Sequence, residues 1–429
     1  MGNKMSLAFP QWRAVTGALV LAFCLLILSG AASRAQADCG LGSFVPRQVI
    51  VKLNPILGAT VGQINATYGS TTLEPFPGST DVYLLGLPTG SGVTATVEQM
   101  VNDPRLLYAE PNFFAQSPEG GARHRAWGDS DVAPTSQEYA AQALGLVSAH
   151  AISQGKSTRV AVLDTGAQLD HPALKANFKD AGRYDFVEGD ENPSDLPVGR
   201  DADCDGDKDE MVGHGTHVAG IVDITAPAAK IMPLRVLDTE GYGDVFTIAK
   251  AVYFAAHNRA DVLNLSLGSP SRSKLLQEVI KDTTANGVLV AAAAGNANSS
   301  LAHYPAAGNG VAASADGLVA VTSVNMYEQK SYFANYGTWV DIAAPGEGIR
   351  SAFPVSKYAY WSGTSMATPF VSGQAALIHA VYGSVDAASV EKRIRCSARP
   401  LLVTDPIYAA MLGAGRADVG ASLSPGACS

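Results

Sequence analysis

Asp164, His214, Asn296 and Ser365 are the residues whose types and surroundings could do chemistry together. A serine hydroxyl is a weak nucleophile at neutral pH. A histidine can take its proton, a carboxylate can hold that imidazole in one tautomer, and an amide can receive an oxyanion. Asp164 follows the apolar run Val160-Ala161-Val162-Leu163 and precedes Thr165-Gly166, where glycine permits a tight turn. His214 sits in Gly213-His214-Gly215-Thr216-His217-Val218-Ala219-Gly220, whose small residues let a helix pack closely and leave the first imidazole at its start. Asn296 closes the run Ala293-Ala294-Gly295-Asn296. Ser365 lies in Ser362-Gly363-Thr364-Ser365-Met366-Ala367-Thr368-Pro369, ahead of an apolar stretch from Phe370 to Ile378. That setting presents the hydroxyl at a helix N-terminus, where the dipole favours developing negative charge. Taken singly, each has a bland reading as an Asx-turn, an N-cap or a turn residue. Metal ligation by His214 and His217 is set aside, because a zincin helix needs four-residue spacing with an acid between the two histidines.

These residues need elements to position them. From about Ser136 onward, apolar strands alternate with helix-length segments: Arg159 to Leu163, Ala229 to Val236, Asp261 to Leu265, Val288 to Ala294 and Leu318 to Val324. Near-continuous apolar strands are those of a parallel sheet covered on both faces, and ligands bind at the carboxyl ends of such strands. Asp164 and Asn296 stand at two of those ends. Ahead of this region, Gln48 to Leu53, Thr71 to Phe76, Asp81 to Leu87 and Leu106 to Glu110 read as strands. Val61 to Tyr68 and Val93 to Val101 read as helices, which completes a βαββαβ unit of ferredoxin-like type. Between the two regions, Gln116 to Thr135 is rich in Gly, Ser, Pro and charge, and reads as an exposed linker open to proteolysis.

The 429 residues are 47% apolar and 16% charged, enough for a large core and more than one domain. A net charge of −9 argues against nucleic acid and acidic membrane surfaces as partners, since both select for basic patches. At the N-terminus, Lys4 and Arg13 precede an apolar run from Ala14 to Leu28 and a small-residue stretch ending in Ala35-Gln36-Ala37. This is a signal peptide with an A-x-A cleavage site. The run is short for a bilayer span, so no membrane association is expected after cleavage. Removing it takes away Cys24 and leaves Cys39, Cys204, Cys396 and Cys428, for which three pairings exist in an oxidising compartment. Gln36-Ala37-Asp38 lacks the small apolar pattern that lipidation of Cys39 requires.

Together the four chemical segments resemble the subtilisin-like serine peptidases. The chain order Asp, His, Ser is that of subtilisin, and Asp164-Thr165-Gly166, Gly213-His214-Gly215-Thr216-His217 and Gly363 to Pro369 are all complete. Further matches are Asn264-Leu265-Ser266-Leu267-Gly268, Tyr304-Pro305, Phe333 to Gly337, Ala344-Pro345-Gly346 and Gly413 to Arg416. Tyr108-Ala109-Glu110-Pro111-Asn112 is similar to the family's propeptide. The resemblance implies an α/β three-layer sandwich with a mainly parallel central sheet, preceded by a small α+β ferredoxin-like prodomain. After the signal peptide of residues 1–37, it implies an inhibitor-like propeptide over 38–115, a linker with the maturation cleavage over 116–135 and a peptidase domain over 136–429. The catalytic set would be Asp164, His214 and Ser365, with Asn296 and the Ser365 backbone N–H as oxyanion donors.

The implied substrates are proteins or peptides lying extended along Ser266, Leu267 and Gly268, with Ala293 and Gly295 on the other side of the specificity pocket. His303 would stand near the pocket floor, where the family often has a small residue. The chain would be a secreted zymogen, extracellular or periplasmic, inhibited by its own propeptide and needing no cofactor for its chemistry. Two other functions share the scaffold: an inactive pseudoprotease that only binds, and a peptide ligase or macrocyclase that passes the acyl group to an amine. The intact catalytic set speaks against the first, and no residue marks an amine site for the second.

Asp201, Asp203, Asp205, Asp207 and Asp209 place carboxylates at alternate positions around Gly206, like the start of an EF-hand loop. The pattern fails at the twelfth position, Val212, so structural calcium and a solvated acidic loop both remain open. Cys204 within the loop is a poor ligand for a hard cation and suits a disulfide. Cys396 and Cys428 could pair with each other, leaving Cys204 to Cys39 or free; a Cys39–Cys204 pair would tether the propeptide after cutting.

Overall fold

In the computed structural model, the described residues are 42–120, 125–135, 138–308, 315–383, 385–401, 406–408, 410–426 and 428. The expected signal segment therefore lies outside them. Among the described residues no helix is long and apolar enough to cross a membrane.

The first unit runs β1 (Phe44–Leu53), α1 (Val61–Tyr68), β2 (Thr71–Pro75), β3 (Val82–Gly86), α2 (Val93–Met100) and β4 (Leu106–Gln116). Thr60 and Gln63 form a capping box at the start of α1, and Gly69 ends it in the left-handed conformation, which explains its sharp boundaries. The strands lie antiparallel in the order β2-β3-β1-β4, the ferredoxin-like arrangement. Val49, Val51, Leu53, Ile64, Leu85 and Met100 close a core of the unit's own between sheet and helices.

After β5 (Trp127–Ser130), the second unit contains α3 (Tyr139–Ala143), α4 (Leu146–Ile152), β6 (Arg159–Asp164), α5 (Lys175–Phe178), β7 (Tyr184–Asp185), α6 (His214–Thr225), β8 (Lys230–Arg235) and β9 (Tyr242–Asp244). It continues through α7 (Val245–His257), β10 (Val262–Leu265), α8 (Lys274–Ala285), β11 (Leu289–Ala293), β12 (Leu318–Val324), β13 (Ile342–Pro345), β14 (Ile349–Phe353) and β15 (Lys357–Trp361). It ends with α9 (Thr364–Tyr382), α10 (Ala387–Cys396) and α11 (Val419–Ser422). Seven strands make a parallel sheet in the order β13-β12-β11-β10-β6-β8-β7. Alternate residues of each strand point to opposite faces. Val160 and Val162 of β6 join Val218, Ile221, Phe370 and Val371 on the α6 and α9 side. Ala161 and Leu163 join Phe246, Ile248, Leu275 and Ile280 on the α7 and α8 side. The three-layer α/β sandwich expected from the sequence is the fold observed.

The two units are continuous. The outer face of the first sheet, with Ile50, Leu84 and Tyr108, packs into the α7 and α8 layer, and β4 pairs antiparallel with β9 through Phe114–Asp244, Ala115–Gly243 and Gln116–Tyr242. Glu110 of β4 is buried and accepts from Ser273 Oγ at 2.7 Å, Lys274 N at 2.7 Å and Leu275 N at 3.1 Å, so it caps the N-terminus of α8. Asn112 does the same for α7, accepting from Phe246 N at 3.1 Å and donating to Asp244 at 2.9 Å. Free amides at a helix start favour a carboxylate or a side-chain oxygen, and β4 supplies one to each of two neighbouring helices.

Candidate active site

Asp164 is the last residue of β6 and His214 the first of α6, and both are fully buried. Their approach depends on glycine, because a Cβ added at Gly215 would meet Gly166 O at 2.1 Å. His214 Nδ1 lies 2.6 Å from Asp164 Oδ1, the short separation of a charge-assisted hydrogen bond. Thr165 Oγ1 accepts from Gly215 N at 2.9 Å and donates to buried Asp195 at 3.1 Å. The other Asp195 oxygen accepts from Thr216 N at 3.1 Å and Thr216 Oγ1 at 2.6 Å. Asp195 thus ties the end of β6 to the first turn of α6, a positioning role that the sequence reading missed. The Trp361 ring stands edge-on to the His214 imidazole at 5.3 Å. His217 Nε2 faces Ile349 O and Ala359 O, each at 3.1 Å, and burial pushes its pKa down to about 3, so it is a neutral structural group.

Ser365 occupies the first turn of α9. Pro369 in that helix has no N–H for the Ser365 carbonyl, and Ser266 Oγ donates to it instead at 2.9 Å. The same Ser266 hydroxyl accepts from Asn264 Nδ2 at 2.9 Å, so the strand end after β10 is locked to the start of α9. Asn296, after β11, is oriented by its own oxygen, which accepts from Thr364 N at 3.0 Å and Thr364 Oγ1 at 2.9 Å. Its Nδ2 therefore points to the same space as the Ser365 hydroxyl. Asn335 pins the loop that carries it by donating to Ala294 O at 2.8 Å and accepting from Ala297 N at 3.0 Å.

One carboxylate fills that space. Glu119 is fully buried; its Oε2 accepts from Ser365 Oγ at 2.7 Å and Ser117 Oγ at 3.0 Å, and lies 3.1 Å from His214 Nε2. Its Oε1 accepts from Asn296 Nδ2 at 2.9 Å and rests where a Cβ on Gly363 would come within 1.7 Å. Burial works against both charged forms, but the pairing with Asp164 and Glu119 holds His214 above its ordinary pKa, at about 10, and pairing with His214 holds Glu119 below its own. The expected exposed linker is therefore corrected at its start: Ser117, Glu119 and Gly120 are buried, with Glu119 against His214, Ser365 and Asn296. Ahead of them, Gln116 N donates to Gly268 O and Gly268 N to Gln116 O, both at 2.9 Å, and Ser117 N donates to Gly241 O at 3.0 Å.

A model of the subtilase family matches residues 155–415, and a model of the fervidolysin N-terminal prodomain matches residues 30–112. The chain belongs to the subtilase family. It is 36% identical over 297 residues to a thermophilic serine proteinase of Bacillus sp. (strain AK1), covering 67% of this chain and 66% of that protein. It is 38% identical over 244 residues to thermitase of Thermoactinomyces vulgaris, covering 57% of this chain and 82% of that one. A solved protease of Pseudoalteromonas arctica PAMC 21717 superposes with a TM-score of 0.59 at 31% identity, covering 67% of this chain and 94% of the other.

Around the subtilase centre, Ser266, Leu267, Ala293 and Gly295 are buried at the ends of β10 and β11, with the Leu267 side chain in the core. His303 lies between the two glycines: a Cβ on Gly268 would meet its Nε2 at 2.3 Å and one on Gly295 its ring at 3.2 Å. Its Nε2 is buried without a hydrogen-bond partner, and burial pushes its pKa down to about 4.

In the acidic loop, carboxylate oxygens gather in three overlapping sets: Asp201, Asp203 and Asp205; Asp203, Glu210 and Glu240; and Asp205, Asp207 and Glu210. Asp209 stands apart from them. It accepts from the backbone N–H groups of Val198, Gly199 and Arg200 at 3.1, 2.7 and 3.3 Å, so it organises the loop rather than facing a cation. Glu240, from the turn before β9, is the member that the alternate-residue pattern missed, being 30 residues beyond Glu210. Asp201 Oδ1 and Glu240 Oε2 are buried without a hydrogen-bond partner. Arg125 pairs with Asp207 and Glu210 at the loop's outer side. Cys396 and Cys428 form a disulfide. Cys204 is also disulfide-bonded, and its partner lies outside the described residues.

Proposed function

We propose that this chain is a secreted serine endopeptidase made as a self-processing precursor, with Asp164, His214 and Ser365 as its triad and Asn296 as oxyanion donor. The observation that carries the reading is convergence: His214 Nε2, Ser365 Oγ and Asn296 Nδ2 all lie within 3.1 Å of one carboxylate, and His214 is backed by Asp164 at 2.6 Å. With a peptide carbonyl in place of that carboxylate, His214 takes the Ser365 proton as Oγ attacks. Asn296 Nδ2 and the Ser365 amide receive the oxyanion, and His214 returns the proton to the leaving amine. Asp164 holds the imidazole with Nδ1–H toward itself, which leaves Nε2 for the serine.

Substrate would lie along Ser266, Leu267 and Gly268 as the chain's own Gln116 does, with Ala293 and Gly295 opposite and His303 at the floor of the specificity pocket. The unit before residue 116 acts as an intramolecular inhibitor. Its grip on α7 and α8 through Asn112 and Glu110 supports that role. Maturation would cut within 116–135. Subtilases need no cofactor for catalysis. The acidic loop fits a structural calcium, since Asp201 and Glu240 carry buried unpaired oxygens of the hard type that calcium takes; Asp203, Asp205, Asp207 and Glu210 would complete the set.

The test is hydrolysis of casein by the purified mature protein. Activity that is abolished by Ser365→Ala supports the assignment, and activity that survives the substitution overturns it.

A further inference from the structure

The segment Ser117-Pro118-Glu119-Gly120 enters the catalytic centre without the shape of a substrate. A peptide about to be cut must stay extended past the nucleophile, so that its carbonyl meets the oxyanion donors. Here Gly120 N donates to Ser117 O at 2.9 Å, closing a four-residue turn directly after the strand-like pairing of Gln116 with Gly268. The turn is written into the sequence. Serine at the first position, proline at the second and glycine at the fourth are the preferences of a type I turn. Its tip turns the Glu119 side chain inward, and that side chain accepts hydrogen bonds from the Asn296 amide and the Ser365 hydroxyl and meets His214 Nε2 at once.

We propose that Glu119 is the group that silences the uncut chain: its side-chain carboxylate sits as a bound ligand in the oxyanion site, and no peptide bond is presented to Ser365 until it leaves. This rests on the triad reading above and adds to it a ligand class, carboxylates held by the oxyanion amide together with a charged His214. A histidine that keeps both ring protons, one toward Asp164 and one toward Glu119, cannot accept the serine proton. Glu119 therefore removes the base as well as filling the site.

The groups facing Glu119 are His214 and, beyond it, Asp164, with the imidazoles of His303 and His217 near enough to feel its charge. His214 is held above its ordinary value, at about 10, so its share of the closure is lost as pH rises through about 10; the Glu119 carboxyl is held below its ordinary value, so its own share is full above the ordinary glutamate range. That second share is lost as pH falls through the depressed value.

The inhibition can be tested in trans on the mature wild-type enzyme, with the peptide matching residues 113–120 and the same peptide carrying Glu119→Gln. The glutamate peptide is expected to inhibit casein hydrolysis competitively, to remain uncut, and to bind at least about tenfold more tightly than the glutamine peptide, because the pairing with His214 is a buried charge pair. Equal inhibition by the two peptides, no inhibition by either, or cleavage of the glutamate peptide at Pro118–Glu119 would overturn the proposal. In parallel, the full-length precursor and its Glu119→Gln form are treated with a fluorophosphonate, and labelling of the precursor band is followed before it is processed. The variant is expected to label at least about tenfold faster, and equal rates would count against Glu119. A mature enzyme that neither hydrolyses casein nor takes the label would instead sink the triad reading, which keeps the two failures apart.

Discussion

Replacing Glu110 with alanine tests whether the first unit inhibits by gripping helix starts. Glu110 is 5% exposed and accepts three hydrogen bonds, from Ser273 Oγ, Lys274 N and Leu275 N, at 2.7, 2.7 and 3.1 Å. Alanine leaves these donors covered by β4 but unpaired. Each buried unpaired donor costs about 1–3 kcal/mol, and the Ser273 hydroxyl can rotate to another partner, so two amides set a loss of about 3 kcal/mol. At 1.4 kcal/mol per decade that is about a hundredfold in affinity. Glutamine keeps one accepting oxygen, for Ser273 Oγ and Leu275 N, but loses the charge at the helix dipole and the acceptor for Lys274 N, together worth about 2 kcal/mol, or about thirtyfold. The assay is inhibition of mature enzyme by the separately expressed prodomain, whose own core of Val49, Val51, Ile64, Leu85 and Met100 gives it a basis for folding alone. The inhibition constant is read for wild type, Glu110→Gln and Glu110→Ala, with melting curves of each prodomain as a check on folding. A folded Glu110→Ala prodomain within threefold of wild type would refute the reasoning. Equal losses for the two variants would refute the part assigned to hydrogen bonding.

Other consequences are as direct. Asn296→Ala should lower kcat by about a hundredfold to a thousandfold with little change in KM, because its amide is aimed where the oxyanion forms; a loss confined to KM would contradict that role. Chelation should lower the melting temperature of the mature enzyme by about 5 °C or more, and Glu240→Gln should abolish the difference; identical melting with and without calcium removes the cation site. With Cys396 and Cys428 paired, the cysteines left to Cys204 are Cys24, in the expected signal segment that cleavage removes, and Cys39, at the start of the expected propeptide. After maturation the prodomain should therefore comigrate with the enzyme on a non-reducing gel and separate on reduction, and separation without reductant would exclude the tether.

Much of the fold was legible because its signals are strong and local. Val160 to Leu163 and Leu289 to Ala293 are apolar at every position, which only a strand buried on both faces tolerates. The α1 span of Val61 to Tyr68 followed from its apolar spacing, and the structure adds the capping Thr60 and terminal Gly69 that fix its ends. Gly-flanked His214 and Ser365 could be placed at helix starts, since short side chains are what close packing there demands. What escaped depends on distant partners. Ser-Pro-Glu-Gly reads as a turn, and turns are usually exposed; nothing local says that this one folds into a groove built by residues more than ninety positions away. Asp195 sits in a stretch without periodicity, and its role appears only when β6 and α6 meet. Asp209 fitted an alternating acidic pattern, but its carboxylate instead collects the backbone amides of residues 198–200, which the folded loop brings back to it. Glu240 was hidden by sequence distance alone.

In the proposed function, Ser365 is the nucleophile of the mature enzyme, activated by His214. The most direct measurement is mass spectrometry of the fluorophosphonate adduct, with its rate of formation followed against pH. One adduct per molecule is expected, on Ser365, lost in Ser365→Ala and slowed by orders of magnitude in His214→Ala. An adduct on any other serine, or one on Ser365 that forms equally fast without His214, would contradict it.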